Sequence, residues 1–207
     1  MQAKLQFLNL SILIKLRFMN KQNQYLCLIL VLLLLIPVAA KAEIYLTPEQ
    51  FTQGAFAGST QKSDTLWLTK QVASHAEQIL GHAPKQLRLK FWKNGLQTAW
   101  VLDEIGKEEP ITAGFIVESG KIVQASILAY HESRGGEVRH VNFLKQYQGV
   151  SLLPDHFLNK NIDGISGATL SVRAMGRMAR LALYYDQISR IESNRTESNQ
   201  TETTKQH

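Results

Sequence analysis

Residues 86–102 read QLRLKFWKNGLQTAWVL and residues 111–129 read ITAGFIVESGKIVQASILA, and these two stretches decide the fold. In the first, apolar and polar residues alternate with the period of two that is typical of a half-buried strand. Asn94-Gly95 and Ser119-Gly120 are turn sequences that join antiparallel strands tightly. Two consecutive hairpins predict an antiparallel sheet. We expect strands at Gln86–Lys93, with Leu87, Leu89 and Phe91 on one face, and at Leu96–Leu102, Ile111–Val117 and Lys121–Ala129.

Helical patterns lie on both sides of these hairpins. Thr47-Pro48-Glu49 combines the hydroxyl cap, early proline and acidic residue of a helix start. We expect helices from Thr47 to Gln53, from Thr69 to a stop at Gly81, from Glu137 to Tyr147 and from Leu170 to Gln187, and a short strand at Thr65–Leu68. The last helix has an apolar stripe made of Val172, Met175, Ala179, Ala182 and Tyr185. Helices packed on an antiparallel sheet predict a single α+β domain.

The first forty residues have the pattern of a secretory signal. Lys15, Arg17 and Lys21 lie ahead of an apolar run, which is shorter than the roughly 20 residues that a membrane-spanning helix needs. Ala40-Lys41-Ala42 then has the small-x-small pattern of a cleavage site. We expect residues 1–42 to be a signal peptide, with Met19 as an alternative start, and the mature chain to be periplasmic or otherwise extracytoplasmic. A retained membrane anchor is the alternative.

Charge and cysteine content narrow the function classes. Five of the 23 basic residues precede the expected cleavage site and no acidic residue does, which leaves 18 basic residues against 17 acidic ones. This near balance gives no indication of a nucleic-acid partner. The only cysteine, Cys27, lies in the expected signal. A mature chain without cysteine has no disulfide, thiolate metal site, iron–sulfur cluster or cysteine-attached haem.

The expected mature chain divides by composition into three segments. Residues 43–84 form an N-terminal helical segment, and residues 85–187 carry the hairpins and the last long helix. Residues 188–207 are a polar tail with too few apolar side chains to offset chain entropy, so we expect the tail to be disordered.

Residues 163–171 read DGISGATLS and lead directly into the last predicted helix. Gly164 and Gly167 permit backbone geometries that other residues avoid, and the small side chains leave the backbone open to close approach. A helix N-terminus presents free N–H groups and the positive end of the helix dipole, which suits a phosphate. Thr169 offers a hydroxyl at this point. On these grounds the segment is either an anion site or an ordinary helix cap.

The same segment resembles the flavin-attachment motif of the FMN-binding domain family, Asp-x-x-Ser/Thr-Gly-Ala-Thr/Ser. The matching residues are Asp163, Ser166, Gly167, Ala168 and Thr169. The family includes the flavin-carrying subunits of the Rnf and Nqr ion-pumping oxidoreductases. The resemblance implies that a flavinyltransferase uses FAD to esterify FMN, through its phosphate, to Thr169. This chain is shorter than those subunits and has no clear permanent membrane helix.

A second segment agrees with this resemblance. Residues 130–137 read YHESRGGE and follow the second hairpin. The segment is similar to the family's Glu-x-x-Gly turn, which lies beside the flavin, and the match places Glu132 and Gly135 at the cofactor. The strand before this turn and the helix after it also keep the family's order, so the resemblance covers residues 85–187.

The resemblance implies an electron carrier with covalent FMN, whose redox partner is a protein such as a cytochrome or a membrane reductase. A flavin-dependent periplasmic reductase of a small molecule is the alternative, with His131 and Glu132 as its only acid–base candidates. A non-redox module that binds a membrane partner or peptidoglycan is a further alternative.

Some weaker candidates have simpler explanations. His75 and His82 are too few for a metal site. Arg173 either reaches the phosphate or faces solvent. Three tryptophans are expected in the core, although each is able to stack on a flavin: Trp67, Trp92 and Trp100.

Overall fold

The computed structural model describes residue 25, residues 43–56 and residues 61–204. Apart from Tyr25, the expected signal peptide lies outside these described residues. Residues 43–204 fall within one compact unit, as predicted. The elements are β1 (Glu43–Ile44), α1 (Pro48–Ala55), β2 (Lys62–Trp67), α2 (Lys70–Leu80), β3 (Arg88–Asn94), β4 (Gln97–Ile105), β5 (Pro110–Glu118), β6 (Lys121–Tyr130), α3 (Val141–Leu144) between two 3-10 turns (Gly136–Arg139 and Lys145–Tyr147), and α4 (Thr169–Thr204).

The sheet has six strands in the order β1-β6-β5-β4-β3-β2, and every neighbouring pair is antiparallel. Asn94 pairs with Gln97 and Glu118 with Lys121, which confirms both predicted hairpin turns. The fold class is α+β, as expected. Residues 43–84, predicted to be a helical segment, also supply the two edge strands of the sheet.

The two faces of the sheet are covered by different helices. On one face, Trp100 stacks on Phe91 with ring centroids 4.4 Å apart, and Tyr185 of α4 packs against Trp100. Alternate residues point to the opposite face, where Phe51 of α1 packs in a separate apolar cluster. Gly114 makes this packing possible, because an added Cβ would lie 2.6 Å from the Phe51 ring. The sheet therefore has an apolar core on both faces.

Several predicted boundaries are wrong. Strand β3 begins at Arg88 rather than at Gln86. Leu87 therefore lies before the strand and is 81% exposed. The single helix predicted from Glu137 to Tyr147 is broken at His140, whose extended backbone (φ −65°, ψ 136°) separates a 3-10 turn from α3. Helix α1 reaches Ala55 rather than Gln53.

The last helix is also longer than predicted. Helix α4 continues past Gln187 to Thr204, through most of the tail for which disorder was expected. Tertiary contacts account for the first part of this extension. Ser189 is buried, and Arg190 donates to the carbonyl of Leu96 at 2.7 Å. Ser193 accepts a hydrogen bond from Lys93 at 3.0 Å. Within the described part of the chain, no helix has the length and apolar character that a bilayer span requires.

Candidate functional site

Thr169 is the first residue of α4, and its side chain is exposed. Gly167 has φ +82°, a left-handed conformation that favours glycine and turns the chain into the helix. The Ala168 N–H donates to the Ile165 carbonyl at 3.0 Å, and the Ala168 carbonyl accepts from the Val172 N–H at 2.9 Å. The Thr169 hydroxyl therefore lies at the positive end of a long helix, where a phosphate is favoured.

The loop before this helix is open to solvent. Asp163, Gly164 and Ser166 are exposed, and the Asp163 N–H donates to Gln146 Oε1 at 2.7 Å. An added Cβ at Gly164 or Gly167 would meet no atom within 4 Å. The space above the loop is thus free for a bulky group or for a modifying enzyme, and the residues present fit a phosphate-linked cofactor.

Gly135 brings the second predicted segment against the first. Its φ is +82°, and an added Cβ would lie 2.9 Å from Ser171 Oγ, 3.0 Å from the Tyr130 hydroxyl and 3.3 Å from the Ala168 Cβ. The Tyr130 hydroxyl donates to the Arg134 carbonyl at 2.6 Å and lies 3.2 Å from Ser171 Oγ. Burial raises the pKa of Tyr130, which keeps this hydroxyl protonated as a donor. The contact holds the 130–135 turn against the start of α4.

The Glu132 side chain binds the loop between β4 and β5. Its Oε1 accepts from the backbone N–H groups of Lys107, of Glu108 at 2.8 Å and of Glu109 at 3.2 Å. Burial opposes ionisation, but these three donors outweigh it and hold the pKa of Glu132 below its usual value. Gly106 allows the approach, because a Cβ there would lie 2.7 Å from the same oxygen. The carboxylate therefore positions this loop beside the 130–135 turn.

Arg173 is exposed and lies one helical turn after Thr169. Residues four apart on a helix share a face. The start of α4 thus offers the backbone dipole, a hydroxyl and a cation on one surface.

Residues 106–184 match the family model described as the FMN-binding domain. Residues 106–184 belong to the FMN-binding domain family. The matched range holds both predicted segments, the start of α4 and strands β5 and β6. No curated protein and no solved structure matched the chain.

A groove of about 750 Å³ lies beside the matched FMN-binding domain residues and is partly built by them. Its polar corner is Glu104, whose side chain is 4% exposed. Arg177 NH2 donates to Glu104 Oε1 at 2.9 Å, and His82 Nε2 lies 3.2 Å from Glu104 Oε2. The sequence analysis missed Glu104 and Arg177 as site residues. Arg177 could have been found from the sequence, because Thr169, Arg173 and Arg177 lie four residues apart and so share one face of the helix.

The other candidates outside the FMN-binding motif have structural roles. Trp92 and Trp100 are buried, as expected, whereas Trp67 is 58% exposed with the Arg88 guanidinium over its ring. His75 Nδ1 lies 2.9 Å from the Gln71 carbonyl oxygen. Among the described residues, no group of three or more metal-ligating side chains is present.

Proposed function

We propose that this chain is an exported electron carrier that holds FMN covalently through a phosphoester on Thr169. The observation that carries the proposal is the exposed Thr169 hydroxyl, at the start of a long helix inside the FMN-binding domain. When bound, FMN accepts and donates one or two electrons. Reoxidation kinetics distinguish this carrier from the alternative, a small-molecule reductase.

The attachment step needs a flavinyltransferase as partner and FAD as donor. The Thr169 oxygen forms a bond to the FMN-side phosphorus of FAD, the bond to the AMP phosphate breaks, and the hydroxyl proton leaves. The helix N–H groups stabilise the ester's remaining negative charge, and Arg173 is one turn away to pair with it. The open loop at Gly164 and Gly167 leaves room for the enzyme to reach the hydroxyl.

The carrier role fits the composition of the chain. The only cysteine precedes residue 43, so the mature chain has no cysteine to hold a second redox centre. We propose that the flavin exchanges electrons with another protein, a cytochrome or a membrane reductase. A covalent tether also suits a protein outside the cytoplasm, where free FMN is not replenished.

The proposed cleavage site is compatible with the pairing of β1. We propose cleavage between Ala42 and Glu43, and β1 begins at Glu43, where Glu43 pairs with Tyr130 of β6. A cut at this peptide bond leaves the pairing intact. N-terminal sequencing of the protein from the periplasmic fraction tests the site. A chain that keeps its apolar segment in the membrane fraction would contradict this proposal.

Intact mass of the protein from its native host tests the attachment. We expect one esterified FMN per chain, and a fluorescent band on a denaturing gel. Thr169→Ala abolishes both signals, whereas Thr169→Ser keeps them because the hydroxyl remains. Ser198→Ala is the matched control, since Ser198 is exposed in the same helix and lies outside the motif. Covalent flavin in Thr169→Ala, or flavin that washes off the denatured wild type, would overturn the proposal.

Reoxidation kinetics separate the carrier from the reductase. We expect the reduced protein to be reoxidised rapidly by a native membrane or periplasmic extract and slowly by single small molecules. A small molecule that reoxidises it rapidly, with the rate lost by several orders of magnitude in His131→Ala, would support the reductase instead.

A further inference from the structure

The groove beside Glu104 lies on the path that leads from Thr169 along α4. Thr169, Arg173 and Arg177 follow one another at intervals of four residues, so their side chains project from the same helical face. Arg177 is about 12 Å along the helix axis from Thr169 at 1.5 Å per residue. This distance is shorter than an extended FMN measured from its phosphate to the far edge of its ring system. A flavin tethered at Thr169 therefore reaches the groove.

The walls of the groove suit a flat aromatic group. The volume of about 750 Å³ falls in the usual range for small-molecule sites. Its lining includes five apolar residues and one tyrosine: Leu68, Leu80, Leu89, Leu102, Leu181 and Tyr185. Polar residues complete the lining: Lys85, Gln86, Asp103 and Thr112, with His82, Glu104 and Arg177. A lining that is apolar in one part and polar in another matches the isoalloxazine, which has a dimethylbenzene end and a pyrimidine end rich in hydrogen-bonding atoms.

The polar corner brings an arginine and a histidine to the buried carboxylate of Glu104. Arg177 NH2 donates to Glu104 Oε1 at 2.9 Å and to the Ile105 carbonyl at 3.3 Å. The Arg177 Nε is buried and has no hydrogen-bond partner. His82 lies against the same carboxylate and is about half exposed. The Arg177 side chain as a whole is 26% exposed, so part of it is accessible to an acceptor on a ligand in the groove.

We propose that this groove seats the isoalloxazine of the FMN on Thr169, with the pyrimidine end toward Arg177 and His82. The inference rests on the proposed function. A cation beside this end stabilises the reduced flavin, which carries more negative charge, and so raises its affinity for electrons. Leu68, Leu80, His82 and Glu104 precede the residues that match the family, so this wall of the seat is supplied by the N-terminal part of the chain.

Substitutions of Arg177 and His82 test the seat in flavin-loaded protein. Arg177→Gln and His82→Gln are compared with Arg190→Gln, in which the same type of ion pair is removed from the other half of α4. The readouts are loading by mass, the visible spectrum, and the ratio of reduced to oxidised flavin at equilibrium with a reference dye. We expect this ratio to fall on the order of tenfold in Arg177→Gln, less in His82→Gln, and not in Arg190→Gln.

A steric variant tests the same site by an independent route. Leu68 lines the groove and is half buried, so we expect the larger side chain of Leu68→Trp to occupy part of the groove. In the wild type we expect iodide to quench the flavin fluorescence weakly, because the ring is enclosed. In Leu68→Trp we expect stronger quenching, with unchanged loading by mass.

The outcomes separate the two proposals. A wild type without covalent flavin overturns the proposed function itself. Full loading with an unchanged spectrum and an unchanged reduction ratio in both Arg177→Gln and His82→Gln overturns the seat and does not affect the proposed carrier function. If Arg177→Gln does not fold, His82→Gln decides the question, because the removal of a half-exposed side chain leaves Arg177 paired with Glu104.

Discussion

Helix α4 makes an arginine–carboxylate pair in each of its halves, and the two pairs differ in their surroundings. In the second half, Arg190 Nε donates to Asp186 Oδ2 at 2.8 Å. The other oxygen of Asp186 accepts from the Thr98 hydroxyl at 2.6 Å, and the same hydroxyl accepts from Trp100 Nε1 at 2.9 Å. This pair thus belongs to a closed network that ties the helix to β4.

In the first half, Arg177 and Glu104 lie at the groove, and the Arg177 Nε has no partner. A buried network with every group satisfied fixes packing, whereas one with an unused donor has capacity for a ligand. Similar ion pairs on one helix therefore serve different purposes. We assign the second half of α4 to stability and the first half to the flavin.

The largest effect on stability is expected in the second half. Asp186→Ala removes the acceptor for Arg190 and Thr98, and we expect the free energy of unfolding to fall by about 3 kcal/mol. Covalent flavin per folded chain should not change. Chemical denaturation and intact mass measure the two quantities, with Asp186→Asn as the milder control. A loss of flavin loading in folded Asp186→Ala would contradict the assignment of the second half of α4 to stability alone.

Gly135→Ala tests the packing of the 130–135 turn on the first half of α4. The added Cβ meets Ser171, Tyr130 and Ala168 in a left-handed backbone conformation, so we expect a loss of about 2 kcal/mol. Because the turn is packed on the start of α4, flavin loading should fall as well. Gly120→Ala is the control, since Gly120 also has positive φ but no atom lies within 4 Å of an added Cβ. Equal loading in the two variants would contradict the expectation.

Arg173→Gln is expected to have a smaller effect, confined to loading. The side chain is exposed, so stability should stay unchanged, whereas loss of a cation one turn from the ester should slow flavin attachment by a few-fold. Arg195→Gln is the matched control, because Arg195 is exposed in the second half of the helix. The time course of gel fluorescence with flavinyltransferase and FAD measures the rate. The same attachment rate in both variants would show that Arg173 is not part of the attachment site.

The smallest expected effect is a pH dependence at His156. Burial, with help from His75 and Arg180, lowers the pKa of His156 below its ordinary value of 6.5. The unfolded chain therefore binds this proton more readily, and the stability that neutral His156 contributes is lost as the pH falls below 6.5. We expect the decrease in Tm between about pH 7.5 and pH 5.5 to be smaller in His156→Gln than in wild type. Identical decreases would show that His156 does not contribute.

The sequence by itself determined the hairpins and the start of the last helix. Asn94-Gly95 and Ser119-Gly120 are local turn signals, and both turns lie where they were predicted. The Gly-Ala-Thr motif is also local, which explains why the helix start and the family were found without a structure. These features depend on backbone preferences of neighbouring residues, and such preferences are readable along the chain.

Only the tertiary structure decided the end of α4 and the site around Glu104. The helix was predicted to end at Gln187 because the residues beyond are polar. In the structure, Arg190 bonds the turn between β3 and β4, and Ser193 bonds β3. Glu104 is a charged residue in an alternating strand, and nothing local shows that Arg177 and His82 meet it. Contacts between residues distant in the chain override local propensity, because burial and ion pairing depend on how the elements pack.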